Sequence, residues 1–490
     1  GERTGGGVAP RGDPMADFLI GAYQQVPITN GVRNNDGGNT FTAAFLQDDF
    51  RVSPRLTLNL GLRYELPTPW VDKHDAINTV VTDPNVRSKK IPTAPPGMLF
   101  PGDLPRGLYN TDKNNFAPRF GFAWDVFGDG RTAVRGAYGL FYDTFNTDTV
   151  AQENPPFNGG ARTFRNGRLF NPFGSIGAVA PPAFIDPNAF TFVFPINGLW
   201  SGVGKDSLRT TYVQEWNLTI ARELGRSYAL STAYIGKTGR KLIAFRPFNA
   251  APYIPGNNAQ GQPLSTVTNA ESRVPFLPGV YGPQGYFLDN AFTSAYHSGQ
   301  IELNKRYAKG LQFNTSYTLA KSIDSSSTDN LGGCLSNPFD VRADKGLSSW
   351  DRRHAFVFSG VWSPPVFESQ QGLAGKVLGG WSASGFQTIQ SGTPLTPVSG
   401  TDRAFDGSGC TGSFHPDIVG DPVRSHTDRN DMVNNYFNRT AFVLPGVGRY
   451  GAAGRGIFVG PPQVSTDLAI LKDIRVLEGQ RVQFRAEFFN

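Results

Sequence analysis

The sequence predicts an all-β fold, an antiparallel up-and-down transmembrane β-barrel of which this chain holds part. Three observations carry that prediction. Residues 55–65 alternate without a break. Leu56, Leu58, Leu60, Leu62 and Tyr64 fall on one side, and Arg55, Thr57, Asn59, Gly61, Arg63 and Glu65 on the other. Period-two alternation marks a strand with one apolar and one wet face. Its length exceeds the ~5–6 residues of a soluble strand and matches the ~9–11 of a tilted membrane-spanning one. Finally, long segments joined by short turns alternate with long segments joined by sprawling polar loops, the rhythm of a barrel with short periplasmic turns and long extracellular loops.

Composition agrees. In 490 residues there are 58 glycines and 38 phenylalanines, aromatics reach 12%, and charged residues only 18%. Average usage is nearer ~25% charged and ~7% glycine. Mean hydropathy is −0.30, and no apolar run approaches the ~18–20 residues of a spanning helix. The net charge of +6 is spread over turns, loops and wet strand faces. It lacks the one-sided clustering of a nucleic-acid binder, so no nucleic-acid partner is expected. Attraction to anionic lipopolysaccharide is one reading of the excess; a solvated surplus is the other. The chain opens at Gly1 without an initiator methionine or apolar leader and is read as a fragment or processed form, which leaves export open.

About thirteen strands are expected, near 16–23, 41–51, 55–65, 116–126, 131–143, 211–223, 228–237, 296–307, 310–321, 352–363, 380–390, 464–472 and 480–489. Leu311, Phe313, Thr315, Tyr317 and Leu319 oppose Gln312, Asn314, Ser316 and Thr318. Val482, Phe484, Ala486 and Phe488 oppose Arg481, Gln483, Arg485 and Glu487. The pattern weakens over 131–143, where Val134, Tyr138, Leu140 and Tyr142 form one side, and is weakest over 228–237. Short connections fall at 52–54, 127–130, 224–227, 308–309 and 473–479. Long ones fall at 66–115, 144–210, 238–295, 322–351 and 391–465. Residues 363–379 break the rule, being of medium length where a short turn is due. Gly128-Asp129-Gly130 and Lys309-Gly310 supply turn residues that tolerate positive φ, and Pro54 stands outside a strand. An odd count, with a last strand lacking a successor, cannot close a wall. An open edge in hydrocarbon costs several kcal/mol per unpaired group. Pieces of wall are therefore expected from elsewhere.

Several blocks then become specific. Phe45-Leu46-Gln47-Asp48-Asp49-Phe50 with Leu56-Thr57-Leu58-Asn59-Leu60-Gly61-Leu62-Arg63-Tyr64-Glu65 resembles the barrel of TonB-dependent outer-membrane receptors. The nearest likeness is to the Oar-like group, whose chains carry a carboxypeptidase-regulatory-like domain. Asn114–Asp125, Arg135–Asp143, Asp351–Ala355 and Phe484–Asn490 are similar to further blocks of that group. The resemblance implies a closed barrel of roughly twenty-two strands, a plug, and an N-terminal segment that binds the TonB complex. It places the chain in the outer membrane of a Gram-negative bacterium. Residues 1–490 are read as a partial receptor barrel domain, with the plug and regulatory-like domains not represented in them. The implied job is capture of a small-molecule, oligosaccharide or peptide ligand by extracellular loops for TonB-dependent uptake. The alternative is an adhesion or surface-structural barrel without active transport. A secreted soluble propeller needs short strands at ~40–50-residue repeats, and neither is visible.

Candidate site residues are few. Cys334 and Cys410 are the only cysteines, both in long loops. An oxidising export route permits their one pairing; the competing reading is two unpaired small residues. Arg63, Glu65, Arg135, Arg485 and Glu487 are expected to face the lumen, toward a plug or ligand path, or simply to balance charge there. Trp216, Trp362, Trp381, Tyr64 and Tyr142 read as an interfacial girdle. Tyr253, Tyr281, Tyr286, Phe287, Phe405, Phe414, Tyr436 and Phe437 either stack on a ligand or pack loops together. No metal or cofactor is expected. His74, His297, His354, His415 and His426 lack zinc spacing, and Asp417, Asp421, Asp428 and Asp431 lack a calcium-loop pattern. Gly204-Lys205 is no phosphate loop. No nucleophile elbow or distinctive carboxylate pair argues for an enzyme, and the ligand site is not readable.

Overall fold

The computed structural model describes residues 19, 21–29, 36–144, 154–157, 161–168, 186–201, 208–327, 334–410, 412–477 and 479–490. Twelve long strands form one continuous antiparallel path in which every strand pairs with its neighbours in sequence. They are β1 Phe41–Ser53, β2 Leu56–Pro67, β3 Asn115–Asp125, β4 Thr132–Asp143, β5 Thr211–Leu224 and β6 Tyr228–Pro247. Then come β7 Gly285–Ala308, β8 Leu311–Asp324, β9 His354–Trp362, β10 Trp381–Gln390, β11 Gln463–Leu477 and β12 Gln480–Phe488. Two short strands, Leu199–Ser201 and Gly346–Leu347, add to β7 and β8. The sheet is not closed: β1 and β12 do not pair with each other. Half of the strand expected near 16–23, residues 16–18 and 20, falls outside the described residues. The adjoining strand Ala22–Thr29 pairs with Ala161–Arg168 in a separate two-stranded sheet. Among the described residues no helix is long and apolar enough to cross a membrane, which says nothing about crossing by strands.

Register turns the local alternation into a property of the whole sheet, because residues directly opposite across a ladder share a face. One row runs Leu56, Trp124, Val134, Ile220, Thr232, Ile301, Tyr317, Phe356, Ile389, Val464. Only Thr232 in it is not apolar or aromatic. The row beside it runs Thr57, Ala123, Arg135, Thr219, Ala233, Gln300, Thr318, Ala355, Gln390, Gln463, with no apolar side chain larger than alanine. A one-residue slip anywhere would exchange the two rows. The apolar face lies open: Leu60 is 44% and Leu62 48% exposed. Aromatic rings cover some of its glycines. A Cβ on Gly136 would come within 2.3 Å of the Phe122 ring, and one on Gly236 within 2.3 Å of the Trp216 indole.

The turns follow the sequence. Lys309 and Gly310 have φ of 52° and 76°, and Gly128 and Gly130 have φ of 74° and 70°. Asp125 ties the latter turn by accepting the N–H groups of Gly128 and Gly130 at 2.9 and 3.0 Å. The expected limits of three strands need correction, one of them β11, which runs on to Leu477 through most of the connection expected at 473–479. The connection expected at 238–295 is strand at both ends, since β6 runs on to Pro247 and β7 starts at Gly285. There Phe245 and Leu288 are buried and the ladder is bulged between Gly239 and Ala244. Loops cover both faces, so the period-two signal disappears. Trp216 sits five residues inside β5 rather than at its end. At the loop side, Tyr234 and Tyr317 hydroxyls meet the Nδ1 atoms of His297 and His354 at 2.8 and 2.7 Å.

The two rows give a direct test. Leu60→Arg, midway along β2 on the apolar face, is expected to lose about 2–4 kcal/mol in a urea refolding titration with lipid vesicles. Gln300→Arg on the opposite face is expected to lose less than about 1 kcal/mol.

Candidate functional site

The buried core of this molecule lies in the loops. Trp70, Leu108 and Tyr109 of the first long connection pack with Leu208 of the second, Phe245, Tyr286 and Leu288 of the β6 and β7 extensions, and Cys410 and Phe414 of the last. A second cluster joins Val80, Met98 and Phe100 to Phe192, Ile196, Phe276 and Tyr281. Apolar side chains that long polar loops cannot bury singly are buried by packing the loops on one another. Many buried polar groups in this layer find partners within it, while among the described residues Asp72 Oδ2 and Asn115 Oδ1 have none. Asn249 donates to the carbonyls of Phe276 and Gly282, both at 3.1 Å, and accepts the Phe276 N–H at 2.9 Å. Burial raises the Asp103 pKa. Hydrogen bonds from Ser88 and the N–H groups of Lys89, Phe100 and Lys90 outweigh that and leave it below the ordinary carboxylate value. Burial pushes the Tyr109 phenol up to about 12.

This packing decides the reading of the loop aromatics. Tyr281 and Tyr286 are buried, their hydroxyls donating to the carbonyls of Pro96 and Ser408 at 2.9 and 2.7 Å. Phe414 stacks edge-on against Tyr450. Phe287 stacks on Phe248 with ring centres 4.3 Å apart, Tyr253 lies against Phe405, and Phe437, Phe442 and Phe458 form a cluster of three rings. The Tyr436 hydroxyl donates to the Val459 carbonyl at 2.8 Å. Each of these rings has a loop partner.

Two cross-links join the connection after β8 to the one after β10. Cys334 and Cys410 stand with Cα atoms 5.0 Å apart and their sulfurs in bonding contact. The second link is Arg455, which has no distinguishing sequence context. Its Nε donates to the Asp344 carbonyl at 2.7 Å and its Nη1 to the Ser327 hydroxyl at 2.9 Å, while Nη2 pairs with the Asp324 carboxylate and carbonyl. Both partners of the ion pair are largely buried, at 12% and 9% side-chain exposure. Beside this clamp lies a cleft of about 220 Å³ lined by Ser325, Ser349, Ser413, Asp344, His415 and Arg455 over Phe245 and Phe292. Burial lowers the pKa of His415 against the opposing pull of Asp344. Burial raises that of Asp344 despite its hydrogen bonds to Ser336. The cleft thus presents serine hydroxyls, the His415 imidazole and the charged Asp344 and Arg455 over Phe245 and Phe292, a surface suited to hydrogen bonding with a polar ligand.

The remaining sequence-selected residues stay apart from the cleft. Arg63, Glu65, Arg135, Arg485 and Glu487 all project from the polar face of the sheet, by the register of β2 through β4 and of β10 through β12. Arg63 Nε pairs with Glu65 at 2.5 Å, Glu65 being buried, and Arg485 pairs with Glu487. Arg135 is exposed. Among the aspartates of the last loop, Asp417 accepts from Arg449 at 2.6 Å and Asp431 from Arg424 at 3.0 Å. Among the described residues no three histidine, cysteine or acidic side chains are grouped to hold a metal ion.

A family model for an outer membrane beta barrel domain matches residues 1–490. No curated protein matches the chain. Similar solved structures include the outer membrane transporter YddB of Escherichia coli, at 10% identity and a TM-score of 0.43, covering 92% of this chain and 41% of that one. The ferripyoverdine receptor of Pseudomonas aeruginosa is similar at 10% identity and a TM-score of 0.39, with coverage of 89% and 33%. The siderophore receptor PiuA of Acinetobacter baumannii is similar at 10% identity and 0.39, with coverage of 92% and 38%. The chain thus spans about two fifths of the length of the first of these.

Arg455→Ala leaves Asp324 buried without its cation, a loss of about 3–5 kcal/mol to the local structure. Limited proteolysis is expected to cut residues 325–353 at least tenfold faster in the variant. Thiol labelling of the unfolded parent is expected only after reduction. Labelling without reductant would contradict the disulfide.

Proposed function

The chain belongs to the outer membrane beta barrel domain family, and we propose that it forms much of the wall and loop cap of a receptor that captures a ligand for TonB-dependent uptake. In that setting the short turns face the periplasm and the long loops face outward. The apolar rows meet lipid. The polar face, with Arg63, Glu65, Arg135, Arg485 and Glu487, lines the lumen. The sheet closes through further strands, in keeping with the Oar-like resemblance of the blocks around Phe45, Asn114 and Asp351. Lipopolysaccharide surrounds the outer rim. Uptake draws its energy from contact of an N-terminal plug segment with the TonB complex.

One observation carries this reading. The outer loops are packed on one another around apolar clusters of their own, and beside these clusters lies a preformed polar cleft. A site formed before its ligand arrives loses little entropy on binding. Its hydroxyls and imidazole suit a polar ligand such as a siderophore, vitamin complex, oligosaccharide or peptide. Passage then needs no covalent chemistry, only release from the cleft into a hydrated lumen.

The test is accumulation by cells bearing the receptor. Radiolabelled ferric hydroxamate, cobalamin, an oligosaccharide mixture and a peptide mixture are offered to cells with and without TonB. One probe is expected to accumulate only with TonB, and Ser349→Trp, which fills the cleft mouth, is expected to lower its binding about tenfold. Surface binding with no TonB-dependent accumulation of any probe would favour the adhesion alternative.

A further inference from the structure

We infer that residues 363–380, between β9 and β10, are an interfacial anchor seated in the periplasmic leaflet of the membrane; this rests on the membrane reading of the wall. The other turns at this end are a few residues long, so the extra chain is not needed to reverse direction. It carries a helix, Gly372–Leu378. Its Leu373, Ala374, Val377 and Leu378 form one stripe at helical spacing.

The segment is fixed in place rather than left dangling. Gln370 is buried and bridges β11, donating from Nε2 to the Asp473 carbonyl and accepting the Arg475 N–H, both at 2.9 Å. The helix packs on that residue through Gly375, where a Cβ would lie 2.8 Å from the Gln370 carbonyl carbon. Its C-terminal carbonyls are held from the wall. Trp381 Nε1 donates to Val377 at 2.9 Å, and the Lys472 ammonium donates to Val377 at 3.2 Å and to Gly379. Lys472 also lies 5.2 Å over the Trp381 ring. Trp381 and Lys472 pair directly across the ladder and project from the apolar face. The helix is therefore bound to the side of the wall that meets lipid.

What it leaves open is apolar. Leu373 is 84% exposed, and Val366, Phe367, Val377 and Leu378 are all exposed. This patch continues the exposed Trp362 and Phe484 of the wall's apolar face. The continuity selects the occupant. Hydrocarbon already covers that face, and the same leaflet covers the patch without a further partner. Lys376 extends from the flank of the stripe toward the anionic headgroups, the arrangement of helices that lie in a membrane interface.

The test uses the whole chain carrying Leu373→Trp, reconstituted in phosphatidylethanolamine–phosphatidylglycerol vesicles with plain or brominated acyl chains. Leu373 touches little, so the exchange spares the fold. The added emission is expected to fall to about half in brominated lipid, as does that of the parent tryptophans on the apolar face. A second variant, Lys376→Trp, is expected to be quenched less. If the added emission resists bromine and yields to aqueous iodide while the parent emission is quenched, the anchor is refuted and the patch is a docking surface for a periplasmic protein. Failure of bromine to quench the parent emission would overturn the membrane wall itself, and the anchor with it.

Discussion

Backbone satisfaction is the constraint on which this structure depends. In hydrocarbon a strand has no water to pair its N–H and C=O groups, so each must pair with the next strand. Once every strand pairs with its sequence neighbour, the register is common to the sheet, and so is the side on which each residue stands. The row from Leu56 to Val464 and the row from Thr57 to Gln463 are two consequences of that one register. Neither row needs tertiary packing to be defined. That is why a wall with both faces open to its surroundings can still be specified by sequence.

The loops obey the opposite rule. They lie in water, where ordering them costs conformational entropy. They recover it through apolar burial and through covalent or ionic ties. The two clusters around Tyr286 and Tyr281, the pairing of Cys334 with Cys410, and the Arg455 clamp all act in this layer. A buried guanidinium whose donors meet several acceptors gives geometric specificity more than net stability. It sets where the connection after β10 sits against the one after β8, and so fixes the shape of the cleft between them.

Legibility in the sequence follows this division. The wall could be read wherever one face meets lipid and the other water, as in Leu56–Tyr64 and Val482–Phe488, because a single environment acts on each face. It faded over 228–247, where Gly236 yields its place to the Trp216 ring and Phe245 is buried beneath loops. The loop layer could be read only in its two cysteines and in aromatics such as Tyr281, Tyr286 and Phe414, for which packing of the loops was one of two readings. Asp324, Asp344 and Arg455 are far apart in the chain and carry no spacing signal. The polar wall residues Arg63 and Arg485 could be assigned a face but no task, since each pairs with a carboxylate two residues away. The medium-length connection at 363–379 stood out only as an exception, its helix being too short to announce itself.

Hydroxyl-radical footprinting of the chain in lipid vesicles, read residue by residue by mass spectrometry, tests the central claim most directly. Phenylalanines occur on both faces, so reactivity is compared within one residue type. Phe120, Phe356 and Phe488, on the apolar face, are expected to be protected, and Phe45, Phe141 and Phe386, on the polar face, to be oxidised. Equal oxidation of the two sets, or protection of the second set alone, would contradict a wall with lipid on one side and water on the other.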